Sequence, residues 1–218
     1  MQQYIIDEEK SSDTVFIFIP NFLENTELNK IRKELDSIND WKHTTKFDGT
    51  RIQRKQKWYQ TENKSFGKNW KLDYEQWKSH NYSEYLLDFQ SMVQNRIKNI
   101  VKDIPNIEEP NFNSLLINYY ETGDNHIVPH QDDKNSFGSE PTIALLSFGT
   151  PRTFLLERTQ FDCLKRDKGK NFMNKEFTLT DNSLMIMAGG SQLNYCHSLK
   201  REPDVKSGRY SLSFRQYI

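Results

Sequence analysis

With 218 residues, the chain is long enough to bury a substantial core within one domain. Thirty Lys and Arg balance thirty Asp and Glu, which excludes a global electrostatic attraction to polyanions. The opening MQQYIIDEEK has no basic run before a long apolar one, the longest apolar run is VFIFI, and two cysteines do not make a disulfide framework. The expectation is a soluble, intracellular protein with no membrane segment; a place in the nucleus rather than the cytoplasm would follow only from its function.

A strand is predicted at Val15–Ile19, broken by Pro20. Leu28, Ile31, Leu35 and Ile38 then recur at helical spacing, with Asn25 or Thr26 as the expected N-cap. From Lys42 to Lys78 there are ten Lys or Arg against four Asp or Glu, and Trp41, Trp58, Trp70 and Trp77 lie in or beside this window. It has no sustained period and reads as hairpins and loops. A second helix follows, with Leu86, Phe89, Val93, Ile97, Ile100 and Ile104 on one face and an end before Pro105. Beyond Phe112 short β-rich runs alternate with Gly, Pro, Asn and Asp, as in an all-β sandwich or barrel. Cys163–Lys175 reads as a charged insertion.

In NYYETGDNHIVPHQDDKN, His130 and Asp132 fall two apart at the end of a strand-like run, a spacing that points both to one side. NYCHSL adds His197. Two neutral imidazoles and one carboxylate favour non-haem iron(II) and oxygen chemistry over structural zinc. His43, His80 and His126 read as ordinary polar residues. In RYSLSFR, Arg209 and Arg215 share one face, opposite Tyr210, Leu212 and Phe214. Two guanidinium groups on an inner wall need anions: a small dicarboxylate beside the metal, or carboxylates of the protein itself.

The segments NSLLINYYETGDNHIVPHQDD, IALLSFGTPRTFLL, SLMIMAGGSQLNYCHSL and GRYSLSFR, in this order from Phe112 to Arg215, resemble the AlkB family of iron(II)- and 2-oxoglutarate-dependent dioxygenases, in particular its DNA-repair type. The resemblance implies an α+β protein with a double-stranded β-helix (jelly-roll) core. It implies one domain over residues 1–218, with N-terminal helices and a nucleotide-recognition lid in 1–111 and the catalytic core in 112–218. It makes His130, Asp132 and His197 the iron ligands and catalytic centre. It places Asn118, Tyr120, Arg209, Ser211 and Arg215 at the 2-oxoglutarate.

The implied reaction is oxidative dealkylation of N-methylated bases, of the 1-methyladenine/3-methylcytosine type, in DNA or RNA. It consumes O2 and releases formaldehyde, succinate and CO2. The partner would be single-stranded or flipped-base nucleic acid, met by a monomer. RIQRKQKWYQ resembles the family's lid sequence, with Gln53 in place of proline. Arg54, Trp58, Tyr59, Tyr74, Trp77, Asp133 and Lys134 are the expected substrate contacts. Lys134 stands where DNA-repair members carry an acidic residue, and Ser211 where several carry Asn. Two other readings stay open: an oxygenase acting on a protein or other non-nucleic-acid substrate, favoured by Lys134, and a non-catalytic nucleic-acid-binding module.

Overall fold

The computed structural model describes residues 3–7 (backbone only), 14–41, 43–45, 49–60, 78–105, 107–158 and 175–218. In chain order its first half holds β1 (Gln3–Asp7), β2 (Thr14–Ile19), α1 (Asn25–Ser37), β3 (His43–Thr45), β4 (Arg51–Gln60) and α2 (Glu84–Val101). Next come β5 (Ser114–Tyr120), β6 (Ile127–His130), α3 (Lys134–Phe137), β7 (Ile143–Gly149) and β8 (Arg152–Arg158). The order closes with β9 (Lys175–Leu179), β10 (Ser183–Gly189), α4 (Ser191–Asn194), β11 (Tyr195–Leu199) and β12 (Arg209–Arg215).

The strands form two antiparallel sheets: an eight-stranded one in the order β1-β2-β10-β7-β12-β5-β4-β3, and a four-stranded one in the order β6-β11-β8-β9. In the larger sheet the strands that precede residue 112 lie at both edges and flank a central block of strands that follow it. Strands β2, β7 and β10 at the middle of that sheet are apolar on both faces because both are covered. One face meets the helices through Val15, Ile17, Leu115, Ile117, Leu212 and Phe214. The other meets the smaller sheet through Phe16, Ile143, Leu145, Met185 and Met187, against Phe154 and Leu199. A jelly-roll sandwich with helices on its outer face results.

Helix α1 buries the predicted Leu28, Ile31 and Leu35, and α2 the predicted Leu86, Phe89, Val93 and Ile97 together with Val101, while the predicted Ile38 and Ile104 lie just beyond the helix ends. Ser83 caps α2 by accepting from the Leu86 N–H at 3.2 Å. The α1 cap differs from expectation: the N-cap is Glu24, whose N–H donates to the Glu27 carboxylate at 3.0 Å, one turn from the start. Beyond Phe112 not every expected β-rich run is strand throughout: QLNYCHSL begins in the short helix α4 and becomes β11 only at Tyr195. No helix among the described residues is long and apolar enough to cross a membrane.

Two loops at one end of the sandwich are locked by a residue that the sequence did not mark. Arg152, 1% exposed, donates to the Glu202 carboxylate at 2.9 Å and to the carbonyls of Asn125 at 2.9 Å and Lys200 at 2.6 Å. The Thr122 and Gly123 carbonyls accept from it as well. Gly123 is needed for this approach, since a Cβ there would lie 1.7 Å from the Glu202 carbonyl oxygen. The loop leading into β6 is thereby tied to the loop leaving β11.

Candidate active site

Antiparallel pairing of β6 with β11 sets His130 directly opposite His197. Strand β6 ends at His130, and Asp132 follows in the short link before α3. The three side chains offer donor atoms all within 4.8 Å of one another. Asp132 Oδ1 lies 3.8 Å from His130 Nε2 and 3.9 Å from His197 Nε2. These distances are too long for hydrogen bonds and leave room between the three donor atoms.

The protonation states suit a cation at that point. His130 Nδ1 donates to the Val128 carbonyl at 3.0 Å, which leaves Nε2 as a free lone pair. Burial holds His197 neutral, with its pKa pushed down to about 3. Burial pushes the Asp132 carboxyl up, but Arg215 together with the neighbouring His197 and His130 outweighs it and keeps the pKa at about 2. Arg215 Nε donates to Asp132 Oδ2 at 2.5 Å, so the second carboxylate oxygen remains for a metal. The Gln192 side chain fixes the ligand segment by accepting from the Asp132 N–H at 3.0 Å. Two neutral imidazoles and one ionised carboxylate fit iron(II). Cys196, beside His197, is disulfide-bonded, whereas the cysteine content suggested reduced thiols.

A cavity of about 520 Å³ opens beside this cluster. Strand β12 lines it with Arg209, Ser211, Ser213 and Arg215, and β5 with Leu116, Asn118 and Tyr120. Both sets follow the alternation of a strand. Arg209 is 2% exposed and donates to Ser147 Oγ at 2.8 Å, while its Nε and one terminal nitrogen have no partner. Burial pushes its pKa down to about 10, yet it remains a buried cation with two idle donors. Such a group calls for an anion within reach. The two arginines therefore differ: Arg215 is paired with a carboxylate of the protein, and Arg209 is not.

The expected substrate contacts separate into three groups. Arg54 and Asp133 line the cavity. Asp133 caps α3, accepting from the Asn135 N–H at 3.2 Å and the Ser136 hydroxyl at 2.6 Å. Lys134, the first residue of α3, is exposed and does not line the cavity. Strand β6 ends at His130, so Asp133 and Lys134 are placed by the start of α3 rather than by a strand. Trp58 and Tyr59 are 5% and 6% exposed. The first packs on Tyr217 and the second on Tyr82, so neither ring offers a stacking surface. Tyr74 and Trp77 lie outside the described residues. Trp58→Ala is accordingly expected to lower stability by about 3–5 kcal/mol; a loss under about 1 kcal/mol in a denaturant titration would contradict this packing. Gln56, Gln131 and Gln192 were missed, because a lone glutamine carries no sequence signal of its own.

A family profile described as the 2OG-Fe(II) oxygenase superfamily matches residues 15–215. The DNA oxidative demethylase ALKBH2 of Arabidopsis thaliana is 30% identical over 119 residues, which cover 48% of this chain and 37% of that protein. The alpha-ketoglutarate-dependent dioxygenase alkB homolog 3 of Mus musculus is 35% identical over 112 residues, covering 48% of this chain and 36% of that protein. The match thus spans little more than a third of the length of these curated relatives. Among solved structures, OsALKBH1 aligns with a TM-score of 0.63 at 16% identity, covering 92% of this chain and 97% of that one. A prolyl hydroxylase from Trichoplax adhaerens aligns with a TM-score of 0.58 at 12% identity, over 93% and 83%. Profile, fold and donor set agree: the chain belongs to the 2OG-Fe(II) oxygenase superfamily, which works with iron(II), 2-oxoglutarate and O2, and the AlkB resemblance of its motifs holds.

Proposed function

We propose that the chain is an oxidative dealkylase of N-methylated bases in DNA or RNA, of the 1-methyladenine/3-methylcytosine type, in which the methyl group sits on the Watson–Crick edge. One observation carries the cosubstrate half of this reading. A buried arginine with two unpartnered donors, Arg209, shares a cavity with the His130–Asp132–His197 cluster. The substrate half is supported by relatives named as DNA oxidative demethylases and by the basic, aromatic-bearing segment between Lys42 and Lys78.

In this reading His130, Asp132 and His197 hold iron(II). When bound with 2-oxoglutarate and O2, the metal supplies the oxidation that turns an N-methyl into a hydroxymethyl group, which departs as formaldehyde beside succinate and CO2. Arg209 binds the far carboxylate of 2-oxoglutarate, with Tyr120 beneath its guanidinium at 5.2 Å. Asn118 and Ser211, paired across β5 and β12, supply further polar contacts on the same wall. Arg215 keeps Asp132 ionised and oriented. The apolar side chains of Leu116, Ile143, Leu145 and Met187 exclude water from the floor.

Arg209→Met is expected to raise the KM for 2-oxoglutarate roughly 10–100-fold, the worth of a hydrogen-bonded charge pair; a change below about threefold would remove Arg209 from this role. The reading as a whole is tested by succinate and formaldehyde release from iron-loaded protein, with and without an oligonucleotide carrying 1-methyladenine or 3-methylcytosine. Formaldehyde that depends on the lesion supports it. Succinate alone would shift the search to protein or small-molecule substrates, and neither product would favour a binding module.

A further inference from the structure

Arg54 is a cation in the cavity that neither the metal cluster nor the cosubstrate arginine accounts for. It projects from β4 on the face it shares with Ile52 and Gln56. Its Nε donates to Asn118 Oδ1 at 2.8 Å, an oxygen that also accepts from Gln56 Nε2 at 2.9 Å. Among the described residues no carboxylate pairs with it, and its two terminal nitrogens make no bond to protein.

The charges lining the cavity do not cancel. Arg54, Arg209 and Arg215 face two carboxylates, Asp132 and Asp133, and the two imidazoles count as neutral iron ligands. Asp132 is held by Arg215, and Asp133 is engaged in capping α3. Iron(II) and the 2-oxoglutarate dianion add two positive and two negative charges, which offset each other. Three guanidinium groups against two carboxylates leave one positive charge in the loaded site. Arg209 meets the cosubstrate, so the surplus resides at Arg54.

An adenine methylated at N1, or a cytosine methylated at N3, is a cation, and such a base would meet an unneutralised guanidinium in a partly desolvated pocket. A thymine or uracil methylated at N3 is uncharged. Its alkylated nitrogen is flanked by two carbonyl oxygens, the acceptors that idle guanidinium donors require. We propose that Arg54 is a specificity-determining residue that selects uncharged N-alkylated bases with a carbonyl beside the alkylated nitrogen, of the 3-methylthymine or 3-methyluracil type, over cationic ones. The inference rests on the dealkylase reading and departs from it in one respect, ranking uncharged bases on the same edge above the cationic 1-methyladenine/3-methylcytosine type.

The test measures binding, so that it needs no turnover. Fluorescence anisotropy would compare two single-stranded oligonucleotides, identical except for one 3-methylthymine or one 3-methylcytosine, on protein loaded with iron(II) and 2-oxoglutarate and kept free of oxygen. Wild type is expected to bind the 3-methylthymine strand at least about tenfold more tightly. Arg54→Gln should bring the ratio near one, chiefly by improving the cationic strand, with 2-oxoglutarate affinity unchanged in calorimetric titration. A wild-type ratio at or below one overturns the proposal, as does absent binding of both strands. So does an Arg54→Gln protein that loses 2-oxoglutarate affinity while keeping its ratio, because Arg54 would then serve the cosubstrate. The wild-type ratio stands as a test even if the variant fails to fold. In air, a tenfold ratio without formaldehyde from either strand would refute dealkylation and leave the charge selection intact.

Discussion

His130→Ala is expected to lower 2-oxoglutarate turnover at least about a hundredfold while the melting temperature stays within about 3 °C of the parent. The substitution removes one of three converging donors, and anaerobic titration with iron(II) should show the loss directly. Stability is spared because the His130 side chain is 33% exposed and its one hydrogen bond is local, to Val128. Asp132→Ala should abolish turnover equally but behave differently as a protein. It strands Arg215, whose side chain is 9% exposed, without its carboxylate, a change worth about 3–5 kcal/mol. Retained turnover in His130→Ala would sink the ligand assignment. An Asp132→Ala protein as stable as the parent would show that Arg215 finds another partner.

The second large effect lies away from the cavity. Arg152→Leu is expected to destabilise the fold by about 3–5 kcal/mol, or about 10–15 °C in melting temperature. It would leave four carbonyls and the Glu202 carboxylate without their donor. A pH dependence accompanies it. Burial raises the Glu202 pKa, but bonds from the Thr153 N–H, from Arg152 and from the Thr153 hydroxyl outweigh this and hold it below the ordinary carboxylate value. The stability from a depressed carboxyl pKa is present above its unfolded value and is lost as pH falls through its folded value. The melting temperature of the parent should therefore drop on acidification below about pH 4.5, and Arg152→Leu should show less of that drop. Calorimetric scans across this range decide it. A variant within about 2 °C of the parent at neutral pH would show that the loops do not depend on the clamp.

Much of this architecture was legible because periodic burial leaves a periodic sequence. The apolar positions of α1 and α2, and the β-rich runs beyond Phe112, are the faces that pack. His130, Asp132 and His197 converge as their spacing suggested, although Asp132 lies just beyond the end of β6 rather than within it. The illegible parts are those where partnership is non-local. Nothing near Arg152 indicates that its donors meet carbonyls from two loops. Nothing in KWYQ shows that Trp58 and Tyr59 are covered, because covering residues such as Tyr217 and Tyr82 are distant in sequence. Arg215 finding its anion in the metal ligand itself, 83 residues away, could not be separated beforehand from a dicarboxylate bridging both arginines. Lys134 was placed at the substrate by its match to a family position, whereas the chain has left β6 and entered α3 by that point.

Strand β12 lies between β7 and β5 and is hydrogen-bonded to both, yet it follows every other strand in the chain. Until it inserts, β5 and β7 expose open edges toward each other, and the larger sheet is divided into two parts. Vectorial synthesis makes that wait unavoidable, since His130, Asp132 and His197 all leave the ribosome before Arg209 does. A nascent chain can thus gather its metal donors while still lacking the counter-charge for 2-oxoglutarate. The strand that closes the sheet also carries Arg209 and Arg215, so completing the fold and completing the cosubstrate site are one event.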